Sequence, residues 1–198
     1  MKVLLVSGSP RKNGNTDSLL KVMAEKLEDS GLKTFTAHLR DYDIHACIGC
    51  EQCRKDKTCT RFLDGMHLLY PEIESSVGLV LASPTYNYNL TPMMKAFIDR
   101  LYPYFDFTEP RPGPYTCRLA GAGRKATCLG VCEQLEEKEL GVTLRALCDP
   151  LPPLGYEVLT EVTITGHFLR GSVKKDELAL EKAEEAAEIL ARGLKKLA

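Results

Sequence analysis

The chain has 198 residues, 44% hydrophobic and 27% charged, which is ordinary globular composition with enough apolar material for a sizeable core. Its 26 Lys and Arg against 27 Asp and Glu leave a net charge of −1, which excludes the basic footprint of a nucleic-acid binder and the polybasic handle of an anionic-membrane binder. No apolar run approaches the roughly 20 residues of a membrane span, and the opening VLLV run is shorter than a signal-peptide core of about 7–15 residues, so a cytoplasmic location is expected.

With no repeat or dividing linker, residues 1–198 are expected to form one domain. Lys2 to Val6 is a short apolar run ending at Ser7-Gly8-Ser9-Pro10, the pattern of a buried parallel strand. Thr16 to Ser30 has helical spacing, with Leu19, Leu20, Met23, Ala24 and Leu27 in one stripe and Gly31 as the stop. Thr34 to Leu39 reads as a second strand and Val77 to Ala82 as a third, followed by Ser83-Pro84. Pro92 to Tyr102 reads as a helix with Pro in its first turn. Phe105 to Ala122 is a Pro- and Gly-rich insertion, expected to be a loop. Lys125 to Val131 is a fourth strand, Glu133 to Leu147 a helix, and Tyr156 to Ile164 an alternating, β-branched fifth strand. Lys174 to Leu197 is an amphipathic helix expected to turn Leu178, Ala183, Ala186, Ala187, Leu190, Leu194 and Leu197 to the core.

This alternation predicts an α/β fold: a five-stranded parallel sheet between two helical layers, joined by right-handed crossovers. Ligands in such sheets bind beyond the carboxyl ends of the strands, near the topological switch point. The loops after strands one, three and four are therefore the ones to read.

The first, Ser7-Gly8-Ser9-Pro10-Arg11-Lys12-Asn13-Gly14-Asn15-Thr16, is neither a Walker A loop nor a G-x-G-x-x-G turn. It runs into a helix N-terminus, where free N–H groups and the helix dipole suit a phosphate. Ser9, Asn15 and Thr16 offer side-chain donors and Arg11 a charge-assisted bond. The competing reading is an ordinary cap, with Asn15 or Thr16 starting the helix. The second loop, Ser83-Pro84-Thr85-Tyr86-Asn87-Tyr88-Asn89-Leu90-Thr91-Pro92, places backbone amides and two tyrosines where a flat heterocycle would lie. The competing reading is a rigid Pro-bounded turn packed on the protein itself.

Taken together, GSPRKNGNT and SPTYNYNLTPMMKAFIDR resemble the NADPH-dependent FMN reductase family of flavodoxin-like flavoproteins, over nearly the whole chain. The resemblance implies a flavodoxin-like three-layer sandwich with noncovalent FMN. The phosphate would meet Ser9, Arg11, Asn15 and Thr16, and the ring would meet Pro84, Thr85, Tyr86 and Asn87. It also implies a homodimer or homotetramer with the flavin near the subunit contact. After strand four, relatives often carry Gly-rich sequence that approaches the ring, whereas Cys132 and Glu133 occupy that turn here.

The eight cysteines are the unusual feature. Cys47, Cys50, Cys53 and Cys59 form C-x2-C-x2-C-x5-C, a run compact enough to aim four sulfurs at one iron–sulfur centre. A four-thiolate zinc site and four free thiols are the alternatives. The spacing resembles that of iron–sulfur flavoproteins, a branch of the same group, and implies a [4Fe–4S] cluster passing electrons to FMN. Asp64-Gly65-Met66 fits that wider pattern too. Cys117, Cys128, Cys132 and Cys148 do not repeat the spacing, and Cys128 reads as a small buried hydrophobe in a strand. His38, His45, His67 and His167 are scattered, and structural roles are expected for them.

The expected function is an FMN-dependent oxidoreductase. NAD(P)H would reduce bound FMN, and a flavin, quinone or similar small acceptor would take the electrons. Hydride transfer to the flavin needs no side-chain acid or base, so no catalytic residue is assigned. One alternative is an electron carrier served by a ferredoxin-like partner, and another is a redox- or zinc-sensing regulatory module. No Arg-rich pocket for a 2′-phosphate is legible, so NADH and NADPH are not distinguished.

Overall fold

The computed structural model describes residues 1–196. In chain order it contains β1 (Lys2–Ser7), α1 (Asn15–Asp29), β2 (Lys33–His38), α2 (Cys53–Asp56), α3 (Met66–Ser75), β3 (Gly78–Pro84) and α4 (Pro92–Asp99). There follow β4 (Phe105–Phe107), β5 (Tyr115–Cys117), β6 (Lys125–Val131), α5 (Thr143–Cys148), β7 (Glu157–Ile164) and α6 (Glu177–Lys195).

Five strands form a parallel sheet in the order β2-β1-β3-β6-β7. The chain leaves β1 for β2 on one side and returns to β3 on the other. The switch point therefore lies between the carboxyl ends of β1 and β3. Strand side chains alternate between two cores. Leu4, Val6, Leu79, Leu81, Ala126 and Cys128 face α3, α4 and α5. Val3, Leu5, Val80, Ala82, Leu129 and Val131 face α1 and α6. Because both faces are covered, the three inner strands β1, β3 and β6 read as apolar runs, while the edge strands β2 and β7 carry more polar residues. Each fully buried Leu or Val contributes roughly 1.5–3 kcal/mol. The architecture is the flavodoxin-like α/β sandwich that the loops implied.

Several elements depart from the sequence reading. The helix expected over Glu133 to Leu147 is a 3-10 turn at Glu137–Leu140 and the short α5. Gly141 separates them at φ 57°, and a Cβ there would lie 2.4 Å from Tyr88 atoms, so only glycine fits. Helix α3, with Pro71 inside it, was not expected. Arg124 satisfies the end of α3 by donating to the carbonyls of Ile73, Glu74 and Ser76. The helix from Pro92 ends at Asp99, and Tyr102–Tyr104 is a separate 3-10 turn. Leu178 is exposed in the first turn of α6 rather than turned to the core, whereas Ala183, Ala186, Ala187, Leu190 and Leu194 are buried as expected. Leu197 lies outside the described residues. The 105–122 insertion is not a plain loop, since β4 and β5 pair antiparallel. Among the described residues no helix is long and apolar enough to cross a membrane.

Candidate functional site

The rim at the switch point is built from the end of β1. The Gly8 N–H donates to the Ala82 carbonyl (2.8 Å), joining this loop to β3. A Cβ on Gly8 would stand 2.9 Å from Met94 Cβ, so glycine is what lets α4 approach. Asp17 braces the loop from within. It accepts from Ser7 Oγ (2.9 Å), from the Asn13 N–H (2.9 Å) and from Arg40 (3.1 Å). Arg40 also donates to the Ser9 carbonyl (3.1 Å). Helix α1 opens after Gly14, not after Asn15 or Thr16, and no side chain caps it. The first-turn N–H groups of Asn15, Thr16 and Asp17 thus have no acceptor in the helix and point out of its N-terminus.

Seven of the eight expected cofactor contacts line one hollow there: Ser9, Arg11, Asn15, Thr16, Pro84, Thr85 and Tyr86. Asn87 does not line it. Asn87 and Tyr88 form the tip of a two-residue turn at φ 51° and 64°, closed by the N–H of Tyr86 to the Asn89 carbonyl (2.8 Å) and its reciprocal (3.0 Å). The Asn15 side chain is not a free donor. Its amide donates to the His167 and Leu169 carbonyls (both 3.1 Å) and accepts from the Val173 N–H (3.2 Å). Asn15 therefore staples the segment after β7 onto α1.

That segment is the wall the sequence reading missed. His167, Phe168 and Arg170 line the hollow, with Val131 and Glu133 from the end of β6. Arg11 donates to the Phe168 carbonyl (3.0 Å), and its guanidinium lies 5.4 Å from the Phe168 ring centre. His167 bonds Asp176 through Nε2 (2.9 Å) and Ser172 through Nδ1 (3.1 Å). The Ala179 N–H and then His167 hold the Asp176 carboxyl below its usual range. The available signal was position alone: a Gly-bracketed GHFLRG stretch at the carboxyl end of the fifth strand.

A second cavity, of about 350 Å³, is lined by all four cysteines of the 47–59 loop. Cys47 and Cys50 are exposed, Cys53 is half-buried and Cys59 is buried. Burial pushes the Cys53 thiol up, and negative charge on Cys59, Cys47 and Cys50 adds to it. The four sulfurs therefore share one electrostatic neighbourhood, where a cationic centre would relieve their repulsion. The donor set fits a thiolate-ligated centre in kind. Among the described residues, however, no three or more His, Cys, Asp or Glu side chains already stand in a metal-holding arrangement.

The loop is held from outside by the β4–β5 hairpin. Arg111 pairs with Glu51 (2.5 Å), Arg54 with Glu109 (2.6 Å), and Lys57 with Asp106. Arg118 donates to the Lys57 carbonyl (2.8 Å). Two of the residues so held, Glu51 and Lys57, are left-handed (φ 59° and 58°). The inner wall is a buried ion pair, with Arg100 Nη1 on Asp64 Oδ2 (2.7 Å) and Nη2 on Oδ1 (3.0 Å). Burial pushes the Asp64 carboxyl up, but Arg100 and the N–H groups of His45 and Met66 outweigh it and hold the group at about 2.

A parallel sheet in the order β2-β1-β3-β6-β7, with an uncapped helix terminus at its switch point, defines the flavodoxin-like class of mononucleotide-binding folds. The chain belongs to the NADPH-dependent FMN reductase family, whose model matches residues 1–122. One iron–sulfur flavoprotein of Archaeoglobus fulgidus is 30% identical over 94% of this chain and 92% of its own length. Another from that organism is 39% identical over 52% of this chain and 47% of its own. Apart from the first of these, the curated relatives are matched over about half of their own length. Among solved structures, an NAD(P)H:quinone oxidoreductase from Methanothermobacter marburgensis superposes with a TM-score of 0.72 at 18% identity, over 94% of this chain and 97% of that one. A Bacillus anthracis FMN-dependent NADH-azoreductase in complex with FMN gives 0.68 at 16%, over 96% and 99%. At such identities these likenesses establish the fold alone.

Proposed function

We propose that the chain is an FMN-dependent oxidoreductase that takes electrons from a reduced nicotinamide and delivers them to a flavin, a quinone or a similar small acceptor. The observation that carries this reading is the hollow where the uncapped α1 terminus, Ser9, Arg11 and Thr16 face the Pro84–Tyr86 turn. The first-turn N–H groups of α1, the Thr16 hydroxyl and the Arg11 and Arg170 guanidinium groups receive the phosphate. The N–H groups of Asn87 and Tyr88 lie at the tip of the adjoining turn, outside the hollow itself; they take no part in closing that turn and would meet the polar edge of a ring extending from the hollow. Backbone donors there stabilise negative charge that builds on that edge. The Tyr86 ring, exposed at the mouth, flanks the face that a nicotinamide would approach. Bound there, FMN supplies hydride acceptance and one-electron release.

The cysteine cavity supports a second redox centre. The four sulfurs share one space, and the relative matched over 94% of this chain is an iron–sulfur flavoprotein. Cys47, Cys50, Cys53 and Cys59 would hold the [4Fe–4S] cluster, which relays electrons singly. Anaerobic purification followed by flavin, iron, sulfide and zinc analysis tests both parts. A flavin titration of the stripped protein should show micromolar or tighter FMN binding, weakened in Thr16→Val. Failure of the wild-type protein to take up FMN overturns the oxidoreductase reading. Zinc in place of iron and sulfide overturns the cluster but leaves the FMN pocket standing.

A further inference from the structure

We infer that Arg100 is a fixed hydrogen-bond donor to the sulfur ligands of the cysteine cavity, its Nε–H reserved for a thiolate sulfur of the occupied site. This rests on the reading of that cavity as a thiolate-ligated centre. Arg100 follows the last residue of α4, lines the cavity and is 2% exposed. Its Nη1 donates to the His45 carbonyl (2.9 Å) and to Asp64, and its Nη2 to Asp64. Its Nε is buried and, among the described residues, has no partner. Buried donors are nearly always paired, and those on charged groups most of all.

Asp64 does not fill the gap. Its carboxylate already accepts from the N–H groups of His45 (2.9 Å) and Met66 (3.1 Å) as well as from both Arg100 nitrogens. The Phe62 ring, 5.6 Å from the guanidinium carbon, and His45, stacked on Phe62 at 4.9 Å, cover the group from that side. The cavity that Arg100 lines also holds Glu51, Gln52, Thr60, Asp99 and Tyr102 besides the four cysteines; none of these is bonded to Nε among the described residues, and of the cysteines Cys59 lies within electrostatic reach of Arg100. The Arg100–Asp64 pair is neutral as a whole, so the guanidinium adds no free cation that would repel a metal. What it adds is an unspent N–H beside the cavity, which we assign to a sulfur of the occupied site. Such a bond stabilises the more negative state of a metal–thiolate centre and so raises its reduction potential.

The test uses two variants and two readouts. Arg100→Lys keeps a charge but has no Nε–H. The double variant Arg100→Gln with Asp64→Asn replaces the ion pair by an amide pair and avoids an unpaired buried carboxylate. Circular dichroism confirms folding of each. The reduced, metal-free proteins are titrated anaerobically with Co2+ and followed by the sulfur-to-cobalt charge-transfer band. Reconstituted proteins are then titrated potentiometrically. Loss of a charge-assisted bond should weaken Co2+ binding about tenfold. It should also lower the reduction potential by about 59 mV for each tenfold change in a one-electron equilibrium. Folded variants that match the wild-type protein in both readouts overturn the inference and leave Arg100 a purely structural residue. A wild-type protein that takes up neither Co2+ nor iron overturns the cysteine-site reading itself, a distinct failure visible before any variant is made.

Discussion

The two cavities differ in what holds their walls. The rim hollow is assembled from the carboxyl ends of β1, β3, β6 and β7, and buried bonds pin each segment. Gly8 is tied to Ala82, Asp17 braces the Ser9 loop, and Asn15 staples residues 167–173. The cysteine cavity has no sheet beneath it. Its outer wall is irregular chain clamped by exposed ion pairs to a hairpin of three-residue strands. Such surface pairs contribute roughly 0–1 kcal/mol each. The walls of the first site are therefore fixed by bonds within the fold, whereas the outer wall of the second rests on weak surface pairs.

Four variants break or sharpen that contrast. Cys50→Ala has the largest expected effect. It should abolish iron incorporation while FMN stays bound, because the cavities share no wall; iron content equal to wild type would refute its role as a ligand. Asn15→Ala comes next. It removes three bonds of a buried amide, so a loss of about 3 kcal/mol is expected, with weaker FMN binding and faster amide exchange in residues 167–173. Unchanged exchange there would show that the staple is not what orders the wall.

The third concerns acid. Asp64 sits at about 2 when folded, against roughly 3.9 when unfolded. Its contribution is fully present above about pH 4 and disappears as pH falls through about 2, since the unfolded chain takes up that proton first. The metal-free protein should thus lose about 2 kcal/mol across that window through this group, and Asp64→Asn should flatten that part of the profile. Parallel denaturation curves for the two proteins would contradict the assignment. The smallest effect belongs to the clamp. Glu51→Gln should cost under about 1 kcal/mol, yet it should speed protease cleavage within residues 47–59. Added salt should do the same to the wild-type protein and little to the variant.

The sheet was legible because a strand covered on both faces must be apolar throughout, and KVLLV, VGLVLA and KATCLGV have no other stable use. The rim loops were legible because glycine, hydroxyls and amides cluster where strands end. What escaped had weak local signals. Helix α3 carries Pro71, and its opening Asp64-Gly65, whose carboxylate accepts from the Met66 N–H, is followed by too short an apolar run to announce a helix. The Glu-rich stretch before α5 has acidic residues but no apolar stripe, and Gly141 divides it. The 167–170 wall owes its place to Asn15, some 150 positions away in the chain, and no short-range rule links the two. Leu178 was assigned to the core by helical spacing, but at the first turn of α6 there is no neighbour to cover it.

Helix α4 joins the two regions. At one end Thr91 donates to the Gly8 carbonyl (2.7 Å) beneath the rim, and just past the other end Arg100 closes the cysteine cavity. Its eight residues make a rod of about 12 Å, packed into the core at Met94 and Phe97. Were FMN and a cluster to fill the two chambers, a rod of that kind would act as a ruler for the gap between them. Tunnelling falls off exponentially with distance, so conduction between the two proposed centres would depend on the length of this helix, and adding a helical turn there would throttle it.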